Sequence, residues 1–369
     1  MKEINAERAV MPTQHPSWLR TAASCLGGGD FPVAGLGENV SCSGLRELRH
    51  GRGPLRLAPI GAAETGEPSD LPWRDEAELR RRVSALARQS RTIELPRVPA
   101  DSRSLALLRE AFSGRGVVVD REAPPTPYIL LDPSWVEPES HFNAGRRSDF
   151  RRSRRHAEKF GALTFEMHDA PDAAELARLL VEAYEVEARS WKGEGGTALE
   201  SDTVLGPFFR RYAHAAREAG ILRLSFMRID GRAVGMQFAV ELEGSLWLLK
   251  IGYDPAYSRC SPGNLLMLFT LGEAARRGLT SYEFLGSVAP WTAAWTNELR
   301  TFRYVRFYPR SIPGFLALGQ DAIISLKARL AERRARRKDG AAAQEDVPEP
   351  EAARSSPAAD HRLEAELAS

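Results

Sequence analysis

Residues 222–278 read LRLSFMRIDGRAVGMQFAVELEGSLWLLKIGYDPAYSRCSPGNLLMLFTLGEAARRG. Leu222, Leu224 and Phe226 recur at every second position, the period of a strand. Asp230-Gly231 is a two-residue hairpin signal. A second strand is expected over 233–242, a turn at Glu243-Gly244, and a third strand over 246–251. The three form an antiparallel meander. A loop from Tyr253 to Pro262 then leads into a helix over 263–277, which Gly278 ends.

The pattern extends in both directions. Upstream, Leu163–Met167 alternates as a strand, and Asp169 and Pro171 open a helix with Leu176, Leu179, Leu180 and Ala183 on one face. Pro207 opens a second helix aligning Phe209, Tyr212, Ala213 and Ala216, closed by Gly220. Downstream come a strand at Tyr282–Leu285, a short helix at Thr292–Leu299 and a final strand at Phe302–Tyr308. Before residue 162 the signals thin out. Residues 26–67 are rich in glycine and small residues. Helical spacing appears at Leu79, Val83, Leu86 and at Leu105, Leu108, Phe112, with short strands at 92–96, 117–119 and 128–131. After the final strand, a helix over 315–337 ends in a basic run. Residues 338–369 carry almost no large apolar side chain and are expected to be disordered.

Composition bounds the class. The chain has 369 residues, 43% hydrophobic, enough for a sizeable core. Its 51 basic residues nearly balance 49 acidic ones, so net charge names no partner. Cys25, Cys42 and Cys260 are too few and too scattered for a disulfide framework or a zinc site, and no metal is expected. The first ten residues lack an apolar signal core, and no apolar run approaches the ~20 residues of a membrane span. A cytoplasmic protein without a transmembrane segment is therefore expected.

From residue 162 the order is strand, two helices, meander, glycine loop and helix, strand, helix, strand. It resembles the GNAT acyltransferase fold, and most closely the CelD/BcsL-like branch associated with cellulose and exopolysaccharide synthesis. The resemblance rests on Arg146-Arg147-Ser148-Asp149-Phe150-Arg151-Arg152-Ser153-Arg154-Arg155 and on Glu187-Ala188-Arg189-Ser190-Trp191-Lys192-Gly193. Further on it rests on Ser261-Pro262-Gly263-Asn264-Leu265-Leu266, Tyr282-Glu283-Phe284-Leu285-Gly286, Trp291 and Trp295. It spans 145–308 well and 50–140 weakly. It implies an α/β (α+β) fold made of two GNAT-like halves in tandem, the first degenerate. The expected organisation is a disordered 1–14, a degenerate half over 15–144, an acyltransferase domain over 145–312, a basic helix over 313–338 and a disordered tail over 339–369. The usual phosphate loop of the superfamily reads Gln/Arg-x-x-Gly-x-Gly/Ala; this chain has Pro262 at the first glycine. Ser287, Ala289 and Thr292 stand where many relatives carry Asp, Glu and Lys.

The resemblance implies transfer from acetyl-CoA or another acyl-CoA to an amine or hydroxyl of a sugar or cell-surface polysaccharide precursor. Arg259, Ser261, Gly263 and Asn264 are then the candidate pyrophosphate cradle, because amides at a helix start attract anions. An ordinary loop-to-helix turn is the alternative. Glu283, Lys250 and Asp254 are the candidates for proton transfer, against a role as solvent-face charges. Glu187, Trp191 and Lys192 suit a substrate cleft wall, against a capping aromatic. Arg151 and Arg154, in a cluster of six arginines, are candidates for docking an anionic substrate, against a solvated helix face. Sparse aromatic interleaving argues against nucleic acid. The basic run Arg329–Lys338 reads as a solvated helix end, or as a weak membrane-surface contact. Two other readings remain: a Fem-type transferase using aminoacyl-tRNA, and a GNAT scaffold without activity.

Overall fold

The computed structural model describes residues 11–26, 44–190 and 201–345, with side chains as far as Ala331. Its first part contains α1 (Pro16–Cys25), β1 (Leu45–Arg49), β2 (Leu55–Pro59), α2 (Ala62–Thr65), α3 (Glu76–Leu86), β3 (Thr92–Pro99), α4 (Arg103–Phe112) and β4 (Gly116–Leu130). There follow α5 (Ala144–Glu158), β5 (Leu163–His168), α6 (Ala173–Arg189), α7 (Leu205–Glu218), β6 (Leu222–Ile229), β7 (Arg232–Leu242) and β8 (Ser245–Tyr253). The last elements are α8 (Pro262–Arg276), β9 (Ser281–Glu283), α9 (Pro290–Ala293), β10 (Leu299–Pro309) and α10 (Ile312–Glu345).

Side-chain caps fix where helices begin. Asp172 accepts from the Glu175 N–H at 2.8 Å and starts α6, just past the expected Asp169 and Pro171. Asn143 accepts from the Arg146 N–H at 2.9 Å and starts α5. Each satisfies an amide that the first turn cannot pair internally. The expected helix at 292–299 is shorter. Thr296 Oγ1 donates to the Tyr128 carbonyl at 2.8 Å, which draws the chain toward β4, and α9 stops at Ala293. Residues 11–14 also depart from the expected disorder. They form a turn in which Thr13 Oγ1 donates to the Pro68 carbonyl at 2.7 Å and Gln14 Nε2 to the Leu71 carbonyl at 2.9 Å. At the other end α10 runs on through Glu345, so 339–345 are helical.

The strands form one sheet in the order β1-β2-β3-β10-β4-β9-β8-β7-β6-β5. Each half contains a parallel pair joined through helices: β2 with β3, and β8 with β9. Next to each pair lies a strand from the other half. β10 sits between β3 and β4, and β4 pairs with β9 through Tyr128↔Glu283 to Leu130↔Ser281. The boundary expected at 144/145 therefore divides the sequence but not the sheet. Contacts unite the chain through Leu318; a second unit begins at Gly319, within α10.

Both faces of the second half are covered. Leu222, Leu224, Phe226, Phe238 and Val240 pack with Leu179 and Leu180 of α6 and Phe208 and Tyr212 of α7. Met227, Val234, Ala239 and Leu248 pack with Leu265, Leu268 and Leu271 of α8 and with Phe150 and Ala157 of α5. Arg223, between two of the alternating apolar positions of β6, is buried for that reason and donates to Glu241 at 2.8 Å. Among the described residues no helix is long and apolar enough to cross a membrane.

Candidate active site

β8 and β9 run parallel only from Ser245↔Ser281 to Trp247↔Glu283. β9 then ends while β8 continues to Tyr253, so the two strands part from Leu248 onward. On its other side β8 stays paired with β7 as far as Tyr253, through a register shift that bulges at Leu249. Among the described residues, β8 pairs with no strand on that side beyond Trp247. A cleft of about 370 Å³ opens there. Ile251, Gly252 and Tyr253 line it from β8, Gln237 from β7, and Ser261, Gly263 and Asn264 from the start of α8.

The start of α8 has the geometry of an anion site. Ser261 takes the left-handed conformation (φ 47°), and its carbonyl accepts from the N–H groups of Asn264 at 3.0 Å and Leu265 at 3.1 Å. Pro262 has no N–H. Among the described residues the Gly263 N–H has no backbone partner, and Gly263 lines the cleft at the positive end of the helix dipole. A Cβ on Gly263 would meet only Tyr253 Cδ1, at 3.8 Å. Gly235 lets this helix start approach β7, since a Cβ there would lie 3.3 Å from Pro262 Cβ.

The cleft floor is held by a buried network. Gln237 Oε1 accepts from Thr270 Oγ1 at 2.9 Å and from the Tyr282 hydroxyl at 3.1 Å. Burial pushes the Tyr282 phenol up, so it stays a neutral donor. Trp291 and Trp295 both line the cleft and pack on different aromatic partners. Trp291 meets Phe284 at 5.8 Å between ring centroids, and Trp295 meets Phe142 at 5.4 Å.

Of the cradle residues, Ser261, Gly263 and Asn264 converge on the cleft; Arg259 is exposed on the preceding 3₁₀ turn, Pro255–Cys260. α5 packs against this turn, with Phe160 just beyond its end 5.5 Å from Tyr257. The exposed Arg151 and Arg154 thus share the sheet face that carries α8, and Arg154 reaches Glu139 at 3.5 Å. The three acidic candidates are occupied. Asp254 caps the 255–260 turn, accepting from the Ala256 N–H at 3.0 Å, and pairs with Arg232 at 2.9 Å and Arg189 at 3.2 Å. Glu283 is buried, accepting from Arg300 and from Ser281 Oγ, each at 2.8 Å. Glu187 is buried beside Gly252 on the α6 side. Trp191 and Lys192 lie outside the described residues.

Lys250 points to the other face of the sheet, where its Nζ lies 4.4 Å from the Phe209 ring centroid. Glu67, which the sequence did not single out, shares its electrostatic environment. The Gly286 N–H donates to Glu67 Oε2 at 3.5 Å. Burial pushes the Glu67 carboxyl up; Lys250, the Gly286 N–H and Arg97 oppose this without cancelling it. Arg97 closes the group by donating to the Gly286 carbonyl at 2.7 Å. Among the described residues no cluster of His, Cys, Asp or Glu is suited to hold a metal.

Residues 144–292 match the family model described as the acetyltransferase (GNAT) domain. Among solved structures, FemX is similar at 12% identity, over 83% of this chain and 94% of that one, with a TM-score of 0.54. The C-terminal domain of a putative lysylphosphatidylglycerol synthetase from Agrobacterium fabrum matches at 12% identity, over 77% of this chain and 83% of that one, with a TM-score of 0.47. No curated protein gives a significant match. The family match, the parted parallel strands and the order of elements agree. The fold is GNAT-like, and residues 144–292 are similar to the GNAT acetyltransferase domain.

Proposed function

We propose that this chain is an acyltransferase that takes its acyl group from an acyl-CoA bound in the cleft between β8, β9 and α8. The observation that carries the proposal is the parting of β8 from β9 beside a cleft that the start of α8, with Gly263, also lines. Gly263, Ser261 and Asn264 would hold the pyrophosphate, and the parted edge of β8 would polarise the thioester carbonyl. The exposed Arg151 and Arg259, on the same face, supply charge for the donor's further phosphate. The acceptor then approaches from the face of Lys250 and Glu67. An attacking amine or hydroxyl must lose a proton as its bond to the carbonyl carbon forms and the carbon–sulfur bond breaks. Glu67, its carboxyl raised by burial, is suited to take that proton, with Lys250 beside the charge that results. Asp254 and Glu283 act as struts holding the strands that flank the cleft. Within this reading the acceptor is an amine or hydroxyl of a sugar or cell-surface polysaccharide precursor, on the resemblance of Arg146–Arg155 and Ser261–Leu266 to the exopolysaccharide branch.

A second reading keeps the fold and changes the donor to an aminoacyl-tRNA, as in Fem-type transferases. The likeness to FemX and the exposed arginines on α5 favour it. Gly263→Val separates the two. A Cβ at this position makes only ordinary contact, with Tyr253, so the variant is expected to fold, while the branched side chain crowds the amide. Calorimetry is expected to show coenzyme A affinity reduced about tenfold or more, equivalent to ~1.4 kcal/mol per factor of ten. Unchanged affinity in the folded variant would remove Gly263 from the donor site.

A further inference from the structure

A stripe of large apolar side chains lies exposed along α10. Ile312 is 78% exposed, Phe315 58%, Leu316 60%, Ile323 57%, Leu326 58% and Leu330 44%. At 3.6 residues per turn these six positions fall within an arc of about 100° on a single helix. Gly319 lies on the same arc, and Lys327 and Arg329 flank it. Single exposed apolar residues are ordinary, but a stripe of six marks an interaction surface. The helix is too polar to cross a bilayer. Its charge is one-sided: Ile312–Glu345 contains seven basic residues and four acidic ones, a net charge of 7 − 4 = +3, with all seven basic residues between 327 and 338. Five of the basic residues, Arg333, Arg334, Arg336, Arg337 and Lys338, follow directly after the apolar stripe.

We propose that α10 is an interfacial anchor that lays this stripe into the surface of an anionic phospholipid bilayer. Apolar residues would enter the boundary between headgroups and acyl chains. Lys327 and Arg329 would keep their charges among the lipid phosphates with their stems along the interface, and the basic run that follows in the sequence adds positive charge. Charge selects lipid over a second copy of the chain. Pairing two such helices side by side in parallel would set one basic run, 327–338, against the other, whereas an anionic surface is complementary to that run. The proposal is independent of the chemistry in the cleft.

The test is co-sedimentation of the full chain with vesicles of phosphatidylcholine alone and of phosphatidylcholine mixed with phosphatidylglycerol. Binding is expected to the mixed vesicles, falling as salt is raised, with little to the neutral ones. Ile323→Ser with Leu326→Ser should lower the partition coefficient about tenfold or more, with melting temperature and circular dichroism unchanged, since both side chains are exposed. Arg333→Gln with Arg334→Gln should weaken binding and flatten its salt dependence. The proposal is overturned if the wild-type chain stays in the supernatant, or if Ile323→Ser with Leu326→Ser binds as wild type. It is also overturned if ultracentrifugation shows a dimer that those substitutions disperse and vesicles do not compete with.

Discussion

At Gly252 a methyl group would come within 3.0 Å of the Glu187 Cα, so the absence of a side chain is what lets α6 lie against β8 beside the cleft. Gly263 is the opposite case: nothing crowds it, and the use of glycine there is access to its N–H. Glu67 shows a third kind of residue-scale control. Its folded pKa is raised above the unfolded value, so its contribution to stability is present below the unfolded pKa, ~4.3, and is lost as pH rises through the folded one. Glu94 works in the other direction. Burial alone would raise its carboxyl, but Tyr304, Arg306 and His50 outweigh that and leave it lowered. Its contribution is lost only as pH falls through the folded value. Glu67→Gln is therefore expected to flatten the decline in stability above the acid range and to leave the acid limb, to which Glu94 contributes, in place. Denaturant melts across pH check this; a variant with the wild-type alkaline decline would show that Glu67 ionises without cost. Sequence reasoning missed Glu67 because it ends a glycine-rich stretch with no periodicity. Ser261, Gly263 and Asn264 were legible because loop, glycine and helix follow a meander whose turns are written in Asp230-Gly231 and Glu243-Gly244.

Among elements, β10 and β4 carry the most consequence. β10 belongs to the second half in sequence, yet Val305 and Phe307 are fully buried in the core of the first half, with Phe307 4.9 Å from Phe112. Phe307→Ala is expected to cost about 3–5 kcal/mol, the usual range for deleting a buried aromatic. Urea unfolding measures it. A loss below about 1 kcal/mol would mean that β10 only borders that core. The order from Leu163 to Tyr308 could be read because helical and strand periods agree with the turn residues there. The first half could not. β1 and β2 are five residues each, and Pro124, Pro125 and Pro127 interrupt β4, so its single run of 116–130 looked like two short strands. Strand exchange leaves no mark on periodicity, because β10 alternates in the same way whichever half it completes.

For the whole molecule, the exchange of β4 and β10 makes the two halves complete one sheet, and the cleft depends on where β9 stops between them. A donor bound in that cleft would stabilise the shared sheet. By linkage, a ligand bound only to the folded state adds RT ln(1 + [L]/Kd), about 2.7 kcal/mol at a hundredfold excess over Kd. The most direct test of the acyltransferase account is a thermal melt of the full chain with acetyl-CoA and longer acyl-CoAs, with NAD as the control. The account predicts a rise of several degrees with at least one acyl-CoA, lost in Gly263→Val, and none with NAD. No shift with any acyl-CoA at millimolar concentration, for a wild-type chain that melts cooperatively, would contradict it.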